Sequence, residues 1–134
     1  MAPRLILRIE FKSGRAIGPG KIRLLEAIRE HGSISKAGRR LGMSYRRAWL
    51  LIDDLNRCFA WPLVATKLGG TAGGGAQLTS FGERVLTNYR AIEKSAHRVA
   101  AARLRMLDAA LGKSPVIRGR GTPLPRMRRG RRAI

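Results

Sequence analysis

Arg46 and Arg47 stand side by side behind Ser44 and Tyr45 in the run GMSYRRAWLLID. A guanidinium is a planar, permanently charged fork of donors that fits paired acceptors: a carboxylate, a phosphate, or the O6/N7 edge of guanine. Lys36, Arg39 and Arg40 lie just upstream in ISKAGRRL, where a row of cations suits phosphate oxygens. A second feature is the stretch GGTAGGG over residues 69–75, five glycines in seven. Such a loop serves either as a cradle for phosphate or as a hairpin tip that comes close to another backbone. The cradle reading fails, because the loop lacks GxxxxGK[ST] and stands between strand-like segments rather than before a helix.

Catalytic chemistry has little to work with. His31 and His97 are far apart, Asp53 and Asp54 diverge as neighbours on a helix, and no nucleophile–base pair assembles, so an enzyme is not expected. A single cysteine, Cys58, excludes an intramolecular disulfide, fits a reducing compartment, and reads as a small buried filler. With no histidine cluster beside it, no metal site and no cofactor are expected. No apolar run reaches the ~18 residues of a membrane helix. The opening MAPRLILRIEF places Arg8 and Glu10 where a signal peptide would be apolar. Lys and Arg number 28 against 8 Asp and Glu in 134 residues, a formal net charge of +20. That balance points to a polyanionic partner. Eight of the basic residues, and no acid, fall in 112–134 (Lys113, Arg118, Arg120, Arg126, Arg128, Arg129, Arg131 and Arg132), leaving +12 on residues 1–111. The expected organisation is a folded domain over 1–111 and a basic flexible tail over 112–134.

The elements that must position these residues follow from periodicity. Residues 4–12 alternate, with Leu5, Leu7, Ile9 and Phe11 on one face, which predicts a half-buried strand; Ala16-Ile17 can pair back across a turn at Ser13-Gly14-Arg15. Gly18-Pro19-Gly20 opens a helix that carries Ile22, Leu25 and Ile28 inward and stops at Gly32. Ser33 caps a short helix from Ile34 to Leu41, ending at Gly42. Ser44 caps a third, Tyr45 to about Phe59, with Ala48, Leu51 or Ile52, Leu55 and Phe59 inward. WPLVATKL (61–68) and Ala76–Leu78 flank the glycine loop as a β-hairpin. A last helix begins at Thr79 or Ser80, with Ser80 and Glu83 spaced for a capping box, and can run to Leu111. Along it Val85, Tyr89, Ile92, Ala96, Val99, Arg103, Met106 and Ala110 step by four and three, the spacing of a dimerisation seam weakened by its alanines and Arg103. Trp61 is expected to pack and His97 to be solvated; Trp49 either packs or touches the partner.

Three helices followed by a hairpin is the order of a winged helix-turn-helix. The predicted class is mainly α with a small β component and a long C-terminal dimerisation helix. Within 34–53, Ala37 and Gly38 permit close helix approach, Gly42 makes the turn, Met43 plugs the core and Ser44 starts the second helix of the motif. Ser44, Tyr45, Arg46, Arg47, Leu50 and Asp54 are left outward, so the first turn of that helix is the candidate reader of base edges in double-stranded DNA. Lys36, Arg39 and Arg40 are the candidate phosphate contacts. Lys67 with Gly69, Gly70, Gly73 and Gly74 forms the candidate hairpin-tip contact.

GSISKAGRRLGMSYRRAWLLIDDLN, PLV and GGTAGGGAQLTSFGERVL together closely resemble the N-terminal DNA-binding domain of ModE-type molybdate-responsive transcriptional regulators. More distantly they resemble the winged helix of LysR-type regulators. The resemblance covers roughly residues 18–111. It implies a cytoplasmic, nucleoid-associated homodimer, held by the N-terminal strand region and the long last helix, on a palindromic operator. It also implies Ser44–Arg47 as recognition residues and loop 67–76 as the wing; the dimerisation residues expected from the spacing of the last helix are Val85, Tyr89, Ile92, Val99 and Met106. ModE-type proteins carry C-terminal molybdate-binding modules, whereas 23 residues follow Leu111 here, so a reader without that sensor is expected. Two other readings stay open: a non-specific, nucleoid-like DNA coater, and a partner that pairs with a sensor-bearing regulator.

Overall fold

The computed structural model describes residues 3–67 and 75–112. Among them are β1 (Ile9–Glu10), β2 (Ala16–Ile17), α1 (Pro19–His31), α2 (Ile34–Arg40), α3 (Tyr45–Cys58), β3 (Val64–Lys67), β4 (Gly75–Leu78) and α4 (Ser80–Ala109). Two antiparallel pairs form, β1 with β2 and β3 with β4, the second in register Val64↔Leu78 to Lys67↔Gly75. The architecture is the mainly helical winged helix-turn-helix that the periodicity predicts. The hairpin tip, including Gly69, Gly70, Gly73 and Gly74, and the basic tail from Lys113 onward lie outside the described residues.

The body, Arg4–Val99, is built around α1. Pro19 occupies its first turn, where a missing N–H costs nothing, and Gly32 ends it in the left-handed region at φ 66°, donating to the Ile28 carbonyl. Between these ends Ile22, Leu24, Leu25 and Ile28 are fully buried and meet Ile34 and Ala37 of α2, Ala48, Ile52 and Leu55 of α3, and Leu86 of α4. Each such aliphatic side chain contributes about 1.5–3 kcal/mol through burial. The inward choice left open on α3 falls to Ile52, with Leu51 and Phe59 packed at the margin of the core.

The N-terminal arm departs from expectation. The strand predicted over 4–12 shrinks to Ile9–Glu10, because β2 offers a partner of two residues before α1 begins. The rest of the arm is held by side chains of α4 instead. The Leu5 N–H donates to His97 Nε2 at 3.1 Å, and the Tyr89 hydroxyl donates to the Leu7 carbonyl at 2.6 Å. His97 is therefore a tie for the arm and not a solvated residue. Tyr89, expected on the dimer stripe, is 2% exposed and belongs to the chain's own core, while Val85 packs against that core. Burial also pushes the Tyr89 hydroxyl's pKa up.

The start of α4 is also read differently. Thr79, not Ser80, caps it: Thr79 Oγ1 accepts from Gly82 N at 2.9 Å and donates to the Pro62 carbonyl at 2.7 Å. Glu83 turns away from the cap to pair with Arg29 at 3.1 Å. Trp61 is 63% exposed, with one tilted contact to Phe81 at 5.3 Å between ring centres, where packing was expected. The second unit holds the last turns of α4 from Ala100, with Met106 and Leu107 exposed.

Candidate nucleic-acid interface

The helix-turn-helix is assembled by local rules that its residues obey. Ser33 Oγ accepts from Lys36 N at 3.2 Å to start α2. Gly38 lies where α2 meets α3, and a Cβ there would already touch both the Ala48 Cβ and the Met43 carbonyl at 3.4 Å. Gly42 turns the chain at φ 71°, Met43 N closes the turn on the Gly38 carbonyl at 2.9 Å, and Ser44 Oγ caps α3 through Arg47 N at 3.1 Å.

This construction leaves Ser44, Tyr45, Arg46 and Arg47 exposed on the first turn of α3, and Lys36, Arg39 and Arg40 exposed on α2. None of these five cations takes part in an ion pair among the described residues. The positive end of the α3 dipole adds to their field. Other charges nearby are neutralised. Asp54, grouped with the outward residues from sequence, faces the body, bonding Lys21 and, at 2.9 Å, Arg15. The Lys21 hydrogen bond, ahead of the charge of Arg15, holds its carboxyl below the usual aspartate range. Asp53 pairs with Arg57 one turn on, at 3.1 Å. Trp49 is 37% exposed and meets Tyr45 edge to face at 6.1 Å. Cys58, expected to be buried, is half-buried at the far end of the helix, where desolvation raises its thiol pKa.

The hairpin is fastened to this platform by residues that sequence reasoning missed. Asn56, near the end of α3, accepts from Leu63 N at 2.8 Å and Val64 N at 3.1 Å and donates to the Val64 carbonyl at 3.2 Å. Thr79 N donates to the Leu63 carbonyl at 2.9 Å, and Ala76 N donates to the Gly32 carbonyl at 3.0 Å. Gly82 admits this approach, since a Cβ there would stand 2.2 Å from the Leu63 carbonyl oxygen. Lys67 ends β3 exposed and without an ion-pair partner among the described residues. A signal for Asn56 existed, an amide beside the apolar stripe of α3 just before a Pro-containing turn. Gly82 had one too, a glycine inside a helix that would gain from alanine.

A capped helix and a supporting helix whose exposed cations have no ion-pair partner among the described residues, with a hairpin latched to the first through Asn56, make the fold of a winged helix-turn-helix DNA-binding domain. Residues 20–83 match the family described as bacterial regulatory helix-turn-helix protein, lysR family. In sequence, the chain is 43% identical over 94 residues (69% of this chain, 35% of the relative) to the molybdenum transport protein ModE of Azotobacter vinelandii. It is 38% identical over 108 residues (81% and 39%) to the molybdenum-pterin-binding protein MopB of Rhodobacter capsulatus. It is 35% identical over 89 residues (66% and 34%) to the DNA-binding transcriptional dual regulator ModE of Escherichia coli strain K12. The chain thus spans little more than a third of the length of these relatives. In fold it is similar to a chain of the crystal structure of the CbnR_DBD–DNA complex, with a TM-score of 0.50, 22% identity, and coverage of 66% of this chain and 95% of that one. Over these residues the chain is similar to the N-terminal part of ModE regulators and to the lysR-type helix-turn-helix. The matched family is one of regulators and not a class of enzymes. No helix among the described residues is long and apolar enough to cross a membrane.

Proposed function

We propose that this chain is a sequence-specific transcriptional regulator that binds a palindromic operator as a homodimer, with α3 in the major groove of each half-site. The observation that carries this reading is the Ser44-capped first turn of α3, which presents Tyr45, Arg46 and Arg47 exposed and leaves both arginines without an acidic partner among the described residues. A bidentate arginine on guanine discriminates by about 1–3 kcal/mol. Lys36, Arg39 and Arg40 hold backbone phosphates and set the register. Lys67, with Gly69, Gly70, Gly73 and Gly74, brings the hairpin tip against the neighbouring backbone or groove. Ile92 and Val99, 47% and 75% exposed on the body, and Met106, 60% exposed in the second unit, are the apolar positions of α4 that a second copy would cover. Such a regulator works in the cytoplasm on the nucleoid, needs no cofactor for base readout, and by the names of its relatives serves molybdenum-linked genes.

The test is binding to a selected operator and to random duplex at one salt concentration. Arg46→Ala and Arg47→Ala each weaken the operator complex by at least about tenfold, while random DNA is held nearly as before. Equal loss on both duplexes refutes base readout. Sedimentation of the chain alone and on the operator reads the dimer.

The charge of +20 favours a second reading, a non-specific coater that uses the phosphate field alone. Footprinting separates the two, since a discrete protected site excludes the coater. The exposed Ile92 and Val99 also suit pairing with a sensor-bearing regulator, and a homodimer that never exchanges subunits with one excludes that role.

A further inference from the structure

α3 buries Ala48, Ile52 and Leu55. On a helix turning 100° per residue, the stripe opposite those three is Arg46, Leu50, Asp53 and Arg57. Arg46 has no ion-pair partner among the described residues, and Asp53 and Arg57 satisfy one another at 3.1 Å. Leu50 is the exception, an aliphatic side chain 59% exposed at the centre of a polar row. Its neighbours Trp49 and Tyr45, 37% and 57% exposed, extend the apolar surface along one flank.

A lone exposed leucine is ordinary on a protein surface, whereas one adjoined round the helix by the exposed Trp49, itself in contact with Tyr45, points to a contact. The surroundings choose the partner. Arg46 and Arg47 on α3, with Lys36, Arg39 and Arg40 on α2, repel a basic protein surface and draw a polyanion. In the major groove of a polyanionic duplex, the apolar group that distinguishes one base from another is the C5-methyl of thymine.

Resting on the DNA-reading role of α3 proposed above, we infer that Leu50 is a specificity-determining residue that packs on the C5-methyl of a thymine beside the base pair engaged by Arg46. Leu50 stands four residues past Arg46, about 6 Å along the helix axis at ~1.5 Å per residue. That advance is just under two steps of ~3.4 Å between stacked bases. The half-site therefore carries a thymine within about two base pairs of the guanine. Trp49 forms the flank of the contact and keeps water from the methyl group.

The experiment selects duplexes from a randomised pool with the full chain. Each thymine of the recovered half-site is then replaced singly by deoxyuridine, which removes the methyl and keeps every hydrogen-bonding group. Binding is measured for the unaltered chain and for Leu50→Ala at one salt concentration. At one or two thymines per half-site the unaltered chain loses about fourfold in affinity, the scale of one buried carbon group. Leu50→Ala binds the thymine and uracil duplexes alike at those positions. Indifference of the unaltered chain to every deoxyuridine overturns the inference, and that arm needs no variant to fold. Losses that persist undiminished in Leu50→Ala, with its circular dichroism and random-DNA affinity unchanged, also overturn it. A selection that recovers no consensus site overturns the operator reading and this inference with it. A consensus site indifferent to thymine methyls overturns this inference alone.

Discussion

Replacing Asn56 with alanine tests how the hairpin is held to α3. Asn56 Oδ1 is the acceptor for the N–H groups of Leu63 and Val64, at 2.8 and 3.1 Å, and Nδ2 donates to the Val64 carbonyl at 3.2 Å. Leu63 and Val64 are 0% and 3% exposed, so water does not reach these groups while the fold is closed. A buried backbone group left unpaired costs about 1–3 kcal/mol. Two donors lose their acceptor in Asn56→Ala, and the strand end can relieve part of the penalty by opening. We expect a loss of about 3 kcal/mol, out of the roughly 5–15 kcal/mol that holds a domain folded. At about 4–8 °C per kcal/mol, the midpoint falls by at least ~12 °C. Asn56→Asp keeps the oxygen that serves both N–H groups but sets a carboxylate oxygen against the Val64 carbonyl, so it falls between the two proteins. Urea and thermal unfolding give the stability order, and amide hydrogen exchange at Leu63 and Val64 locates the effect. A loss in Asn56→Ala below about 0.5 kcal/mol, with both amides still protected, would refute the latch.

Two further perturbations probe the same platform. Gly82→Ala should destabilise by about 1–3 kcal/mol in urea unfolding although alanine is the better helix former, because the new Cβ would lie 2.2 Å from the Leu63 carbonyl oxygen; a stabilised variant would show that the contact yields. Asp54 has a folded pKa lowered first by its Lys21 hydrogen bond, so its stabilising contribution is present above the unfolded value of about 3.9 and is lost as pH falls through the folded value. Unfolding curves of the unaltered chain and Asp54→Asn should therefore converge in acid and separate towards neutral pH, and curves that stay parallel would count against the pairing.

Legibility followed the range of the interactions. The Ser33 and Ser44 caps, the Gly32 and Gly42 turns, and the Gly38 approach to Ala48 all lie within a few residues or one motif. Their residue types announce them. The same locality exposed Arg46 and Arg47, since the apolar stripe of α3 leaves them outward whatever the rest of the chain does. The arm and the place of Tyr89 on the α4 stripe were misread for the opposite reason. Leu5 and Leu7 have the alternation of a strand, but their partners His97 and Tyr89 lie 92 and 82 residues away. Heptad spacing cannot tell a tyrosine facing a second copy from one facing its own chain's arm. Asp54 looked outward because its partners, Arg15 and Lys21, sit 39 and 33 residues upstream.

The sequence by itself determined the class of fold, the span of α3 and the residues exposed on its first turn, because capping, turns and helical periodicity are short-range and each residue type carries its own constraint. It also determined the sign of the partner, since +20 in 134 residues admits a polyanion. Tertiary structure alone decided how the hairpin is clamped through Asn56, Thr79 and Gly82, and which half of the α4 stripe remains exposed. It also decided which charges are left unpaired. Those outcomes depend on which distant backbone groups and side chains meet when the core around α1 closes, and no local pattern encodes that meeting.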